Sequence, residues 1–389
     1  MSKFKARIDY VMKHNVWISK IIRFFGSICL RTAGFFVKTD NQSVLFSGHN
    51  KAFNDSPKAI YLKMISSPLF SNFKFYWAVD DMSTRIPGGC IKVKTDTIKY
   101  FITSFKCKYW IACVNIERSF RYKKRKQIYL NTGHGITIKT CGNDAKGRKD
   151  YNFSHVDYFC ISSEYERQIY INAFKLNPSS IIETGLPRNE ELFSFTNDEA
   201  LKIKRRLNIP QDKKVILYAP TWRDSSDGGK TFSIAPPISF ETWEKRLGKN
   251  FIILLRTHPC TNKELDVKFD DCIRDVSRYK DVNDLIEVSD YLVSDYSAII
   301  FDYAITERPI ICFAYDYEEY SKARGLELDL NAEIPNGVIS TESGVIDLIM
   351  NGDYEDLCNR TKQFKRKYVN YGQNATDLCI KKLFGDRSE

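Results

Sequence analysis

The sequence predicts an α/β protein built from two doubly wound parallel sheets facing each other across a cleft. Three observations predict it. From about residue 42, short apolar, β-rich runs alternate with helical stretches, the pattern of parallel strands covered on both faces. The alternation comes in two series, separated by a polar break at 208–213 (NIPQDK). The residues just after the strands are rich in polar, basic and turn-forming types, and open parallel sheets bind ligands beyond their carboxyl ends.

The first 40 residues are basic, with Tyr10, Trp17, Ile18, Ile21, Ile22 and Phe25 at helical spacing and Lys13, Lys20 and Arg23 between them. This predicts an amphipathic basic helix, with a second around 27–37, packed on its own domain or lying on an anionic membrane surface. Lys20, Arg23 and Arg31 interrupt the apolar runs, which argues against a signal peptide. No stretch approaches about 20 uncharged apolar residues, so no membrane span is predicted. Strands are predicted at 43–47, 74–79, 109–114, 127–131, 158–161 and 181–184, giving a first domain over 41–208. A second series at 214–219, 251–256, 291–294 and 309–314, with a helix starting near Ala298, gives a second domain over 209–389.

A length of 389 residues suits two or three domains. The net charge of +11 is uneven: residues 1–150 hold 28 Lys and Arg against 9 Asp and Glu, a balance of +19, so the remainder is acidic. That asymmetry points to an anionic partner for the first part: nucleic acid, a membrane surface or a phosphate-bearing substrate. The eleven cysteines are scattered and form no C-x-x-C, which fits free thiols in a reducing compartment better than a disulfide or zinc framework.

The positions that follow the strands hold the candidate chemistry: His49, Asp80–Asp81, Gly133–His134–Gly135, Gly185 to Arg188, Pro220 to Arg223, Thr257–His258–Pro259 and Asp295–Tyr296–Ser297. In "NTGHG", glycines on both sides of His134 allow positive φ and close approach to a ligand, and histidine suits general base work. "FIILLRTHPC" ends an apolar strand in Arg256, His258 and Pro259, an anion clamp or a structural turn. "DYLVSDYSAII" runs a strand into Asp295, Tyr296 and Ser297 at a helix start, either a phosphate site or a plain cap. "LYAPTWRDSSDGG" places Thr221 and Arg223 before a Gly/Ser/Asp loop, and "RYKKRK" (121–126) is a charge run that would face solvent or lipid phosphates. Neither G-x-G-x-x-G nor a P-loop is present.

Taken in order, "SGHNKAFNDSPKAIY", "NTGHG", "GLPRN", "LYAPTWR", "LLRTHP" and "VNDLIEVSDYLVSDYSAIIFDYAITERPIICFAYDYEEYSKARG" resemble the CDP-glycerol glycerophosphotransferase family, which builds wall teichoic acids and related capsular phosphate polymers. The resemblance covers about 42–375 and is most specific over 284–325. It implies a GT-B fold of two Rossmann-like domains, an acceptor domain and a CDP-alditol domain. It also implies peripheral action at the cytoplasmic membrane face. His134 matches the histidine of the family's "HG" motif, the expected base on the acceptor hydroxyl; His258 matches that of "R-x-H-P", expected to stabilise the transferring phosphate or leaving group. Expected substrate contacts are Gly135, Arg188, Thr221, Arg223, Arg256, Ser294, Asp295, Tyr296, Ser297 and Asp302. The chain departs from the family pattern at Gly133, where tryptophan is common, at Ile136 and Thr137, which replace Thr-Pro, and at Ala298, which replaces a serine.

The implied reaction is transfer of glycerol phosphate from CDP-glycerol, with release of CMP, to a hydroxyl on an undecaprenyl-diphosphate-linked saccharide at an anionic membrane surface. The single active site implies a primase or short-chain polymerase. CDP-ribitol as donor, a GT-B nucleotide-sugar glycosyltransferase, and a non-enzymatic scaffold for an anionic polymer are the alternatives. Asp295 and Asp302 read as caps or helix-face partners rather than Mg²⁺ ligands, so a site without metal or other cofactor is expected, and no nucleic-acid partner.

Overall fold

The computed structural model describes residues 16–146, 151–221, 236–257 and 267–385. Helix α1 (Val16–Phe35) opens the described chain. The first half then runs β1 (Asp40–Ser47), α2 (Asp55–Ser66), β2 (Lys74–Val79), β3 (Ile91–Lys94), α3 (Ile98–Lys106), β4 (Cys107–Ala112), β5 (Ile128–Asn131), β6 (Tyr158–Cys160), α4 (Glu164–Phe174) and β7 (Ile181–Ile182). Helix α5 (Asn197–Arg206) leads into the second half: β8 (Lys214–Ala219), α6 (Phe240–Leu247), β9 (Phe251–Leu255), β10 (Ile273–Asp275), α7 (Val282–Val288), β11 (Tyr291–Ser294), α8 (Ile299–Ala304) and β12 (Ile310–Phe313). The chain ends through α9 (Tyr317–Arg324), α10 (Leu330–Glu333), β13 (Val338–Ile339), α11 (Glu342–Asn351), α12 (Tyr354–Tyr368) and α13 (Ala375–Phe384).

The strands form two parallel sheets, ordered β3-β2-β1-β4-β5-β6-β7 and β10-β9-β8-β11-β12-β13. Both are doubly wound, and strand order reverses between β1 and β4 in one and between β8 and β11 in the other. Those reversals open the crevices where such sheets bind ligands. Side chains alternate between the faces, as period-2 strands require. Leu45, Trp110 and Tyr129 bury on one side of the first sheet, and Val44, Phe46, Trp77 and Leu130 on the other. Leu217, Leu254 and Leu292 oppose Tyr218, Ile253 and Val293 in the second. Each such side chain contributes about 1.5–3 kcal/mol by leaving water.

Three strands, β3, β10 and β13, were not among the predicted ones. All lie at sheet edges and bury little: IKVK has one buried residue, IRD one, and the two-residue β13 none. Edge strands are kept short and charged, which removes the apolar run that marks a strand in sequence.

The N-terminal segment also differs from expectation. Among the described residues it is one continuous helix rather than two. Gly26 does not break α1, because a Cβ there would sit 2.6 Å from the Phe120 ring, and Gly34 packs as closely on Phe105. Ser27 Oγ accepts from Arg121 N at 3.0 Å and Arg31 Nε donates to Arg121 O at 2.7 Å. The helix therefore docks through its small residues and Leu30. Its other large apolar ones face outward: Trp17 is 73% exposed and Phe24 63%, with Ile21, Phe25 and Phe35 also exposed.

The halves interlock. Ile136 and Ile138, just past the His134 loop, bury in the core of the second half. Lys139 pairs with Leu326 as an antiparallel bridge, flanked by Glu327 N to Ile138 O at 2.8 Å and Thr140 N to Gly325 O at 3.1 Å. Helix α13 returns to the first sheet, where Cys379, Ile380 and Leu383 join the core of Val44, Trp77 and Leu130.

Candidate active site

His134 sits beyond the carboxyl end of β5, exposed to solvent. Asn131 Oδ1 accepts from Gly133 N at 2.9 Å and turns the chain out of the strand. Gly133 has φ +61° and Gly135 φ +147°, conformations that L side chains rarely adopt. A Cβ on Gly135 would lie 3.0 Å from that of Ala298, so the glycine lets the loop reach the second half. Tyr170 Oη, on α4, donates to Gly135 O at 2.9 Å. Beneath it, burial pushes the Glu166 carboxyl up to about 7.

The His134 ring is held by Cys113 O, 3.3 Å from Nδ1. A carbonyl oxygen only accepts, so Nδ1 carries the hydrogen. The lone pair is then on Nε2, the tautomer a general base needs.

Arg188 organises the surroundings. Its guanidinium donates to His134 O at 2.8 Å, to Asp55 Oδ2 at 3.3 Å and to Asp302 Oδ2 at 2.7 Å. Asn189 Nδ2 donates to the other Asp302 oxygen at 2.5 Å. Asp55 opens α2, Arg188 lies in the turn after β7, and Asp302 lies on α8, so one side chain ties the His134 loop to both helices across the two halves. Burial disfavours the Arg188 charge, but Asp302 and Asp55 outweigh it and hold the guanidinium firmly protonated. Asn283 Nδ2 donates to Arg188 O at 2.6 Å and Lys58 pairs with Asp281 at 3.0 Å, further links between the halves.

The second half presents its own strand ends. Asp295 is buried and accepts from Thr221 N at 2.8 Å and its neighbour Tyr296 N at 2.7 Å, joining the turns after β8 and β11. Ser294 Oγ donates to Ala219 O at 2.7 Å. Tyr296 is fully buried, stacked on Tyr320 at 3.8 Å with its hydroxyl 3.0 Å from Asp316. Arg256 donates to Val276 O and Tyr279 O at 3.1 and 2.9 Å, and burial lowers its pKa. Thr221, Arg256 and Ser297 are half-buried at the carboxyl ends of the second sheet. His258 and Arg223 lie outside the described residues.

The structure adds groups that were not among the expected site residues. Asp55 and Cys113 join the cluster through Arg188 and His134. His49, after β1, stacks on His134 with ring centroids 5.0 Å apart and planes 10° from parallel. Its sequence signals were its place after a strand and its position in "SGHNKAFNDSPKAIY"; neither shows that three loops meet there.

Two facing doubly wound sheets, with a histidine loop and a charged cluster at their carboxyl ends, define a transferase of the GT-B type. The model of the CDP-Glycerol:Poly(glycerophosphate) glycerophosphotransferase family matches residues 29–379, and the chain belongs to that family. It is 32% identical over 369 residues to the teichoic acid glycerol-phosphate transferase of Staphylococcus aureus, covering 88% of this chain and 93% of that one. It is 33% identical over 329 residues to the teichoic acid poly(glycerol phosphate) polymerase of Staphylococcus epidermidis, covering 79% of this chain but spanning only 45% of that polymerase. Among solved structures, a His-to-Asn variant of the wall teichoic acid polymerase TagF with CDPG matches at a TM-score of 0.82 and 26% identity, over 95% of this chain and 98% of that one.

Proposed function

We propose that the protein transfers glycerol phosphate from CDP-glycerol to a hydroxyl of a lipid-linked saccharide, releasing CMP, in the synthesis of wall teichoic acid or a related polymer. The observation that carries this reading is His134, held as the Nδ1–H tautomer at the strand ends where the halves meet, in a chain of this family. Nε2 takes the proton of the acceptor hydroxyl, whose oxygen attacks the β-phosphorus of CDP-glycerol. The bond from that phosphorus to the bridging oxygen breaks, a phosphodiester forms and CMP leaves with the electron pair. Positioning and charge stabilisation supply most of the rate.

The acceptor occupies the first half, beside His134. The donor lies beyond the ends of β8 and β11, against Thr221 and Ser297, where doubly wound sheets hold nucleotides. Arg188 contributes by fixing the His134 loop against α8, since its guanidinium is already engaged by protein acceptors. His258 and Arg223 complete the phosphate environment in this reading. Glycerol is favoured over ribitol because the family description and both relatives above concern glycerol phosphate. The test is the nucleotide released: CMP from CDP-glycerol supports the reading, whereas nucleoside diphosphate from a nucleotide sugar, with none of CDP-glycerol consumed, overturns it.

Membrane docking through α1 is part of the proposal. Among the described residues no helix is long and apolar enough to cross a membrane. The outward face of α1 presents Trp17, Phe24 and Phe25, and the exposed Arg121, Arg125 and Lys126 of the charge run lie on the segment that α1 packs against. Aromatic side chains in the interface with cations at the headgroups are the mark of a helix lying on anionic lipid. Replacing Trp17, Phe24 and Phe25 together by serine weakens sedimentation with phosphatidylglycerol vesicles by at least about 10-fold. Unchanged binding by this variant contradicts docking through α1.

A further inference from the structure

His49, just past the end of β1, has no part in the reaction above. It follows β1, at the point where strand order reverses between β1 and β4, the position such folds use for ligands. Its loop is built at a cost. Gly48 has no room for a Cβ, which would meet Ala52 O at 2.3 Å and Asn54 Oδ1 at 2.6 Å. Asn50, Lys51 and Asp55 adopt φ of 49°, 58° and 61°, three non-glycine residues in the left-handed region within six positions. Strain of this kind persists where the surroundings hold a functional geometry in place. What this loop delivers is one imidazole laid flat on another.

We propose that His49 is a positioning residue for His134: its ring plane fixes the orientation of the base. This rests on the base role proposed for His134. The contacts divide the work. Cys113 O orders one edge of the His134 ring, Arg188 holds its backbone, and His49 covers one face, which leaves Nε2 for the acceptor hydroxyl. Without the stacked plane the ring is free to turn about its side-chain torsions, and a shift of the base by about 1 Å is costly to rate.

The charges around His49 support the pairing. Facing it are His134 from the loop after β5, Asp55 from the start of α2 and Arg188 from the turn after β7; on its own loop Lys51 is turned to Asp96 at 2.7 Å. Burial, His134 and Arg188 lower its pKa and together outweigh Asp55, which raises it. The Cys113 thiol, pushed well up by burial and Asp55, adds no charge. Burial and these neighbours therefore disfavour a proton on His49, the ring that faces the base.

The experiment uses the full chain with CDP-glycerol and a lipid-linked saccharide, comparing wild type, His49→Phe and His49→Ala. His49→Ala is expected to lower kcat by about 10-fold or more with KM little changed, while His49→Phe, which keeps an aromatic plane, retains most of kcat. Imidazole C–H resonances, read without substrate, show the His134 signal displaced in both variants. Wild-type kcat in His49→Ala, with the His134 resonances undisplaced, overturns the proposal. So do equal losses in both variants accompanied by equal falls in melting temperature. The resonance measurement does not depend on turnover: a His134→Ala variant that remained active would sink the base role while leaving the ring coupling visible.

Discussion

His134→Ala lowers kcat for CMP release by about 10²–10⁴-fold, the span that positioned general bases contribute. The ring is exposed and its side chain makes one hydrogen bond, to Cys113 O, so the substitution is expected to change folding stability by only about 0.5 kcal/mol. Activity and stability thus separate. KM for CDP-glycerol is expected to hold, because the proton leaves the acceptor in the transition state and the donor binds on the other half. His134→Gln keeps a polar side chain of similar reach but no basic nitrogen, and falls with alanine. A scaffold that only bound an anionic polymer through the basic first part would be indifferent to both variants.

Arg188→Ala is expected to cost stability as well as rate. Its side chain is 16% exposed and its partners Asp55 and Asp302 are 7% and 6% exposed. Removing one member of a buried ion pair strands the others, at about 3–5 kcal/mol. Because Asp55 belongs to the first half and Asp302 to the second, the loss loosens the junction that carries His134. Arg188→Lys retains the charge but loses the planar fork that reaches His134 O, Asp55 and Asp302 together, so it recovers only part of the loss. Denaturant unfolding of Arg188→Ala, Asp302→Ala and the double variant measures the pair directly: a double variant no less stable than Arg188→Ala shows the coupling, and strict additivity contradicts it.

Much of the architecture was legible in the sequence. β2, β8 and β11 fall where their apolar runs begin and end, because buried parallel strands are apolar on both faces. The edge strands β3 and β10 were not legible, since Lys92, Lys94 and Arg274 interrupt the signal. The His134 loop was found through its glycines, whose φ values show why they are there. Arg188 was legible as a basic residue after a strand, in "GLPRN", and as an expected substrate contact, but not as the tie between the halves. Its partners lie 133 and 114 positions away, and pairings at that separation leave no local pattern. The stretch "SDYS" shows the opposite limit: sequence cannot separate Ser294, Asp295 and Tyr296, which turn inward to brace the turn, from half-buried Ser297. Nor does the spacing of Trp17, Ile21 and Phe25 reveal that α1 docks by its small residues and Leu30 and turns its other large ones out.

The central claim is that this site joins glycerol phosphate to an acceptor hydroxyl. Its most direct test is the mass of a lipid-linked disaccharide after incubation with the full chain and either CDP-glycerol or CDP-ribitol. The account predicts an acceptor heavier by whole glycerol phosphate units in the first case, with CMP released in equal amount, and an unchanged acceptor in the second. An acceptor extended by ribitol phosphate alone, or left unchanged by both donors, contradicts it.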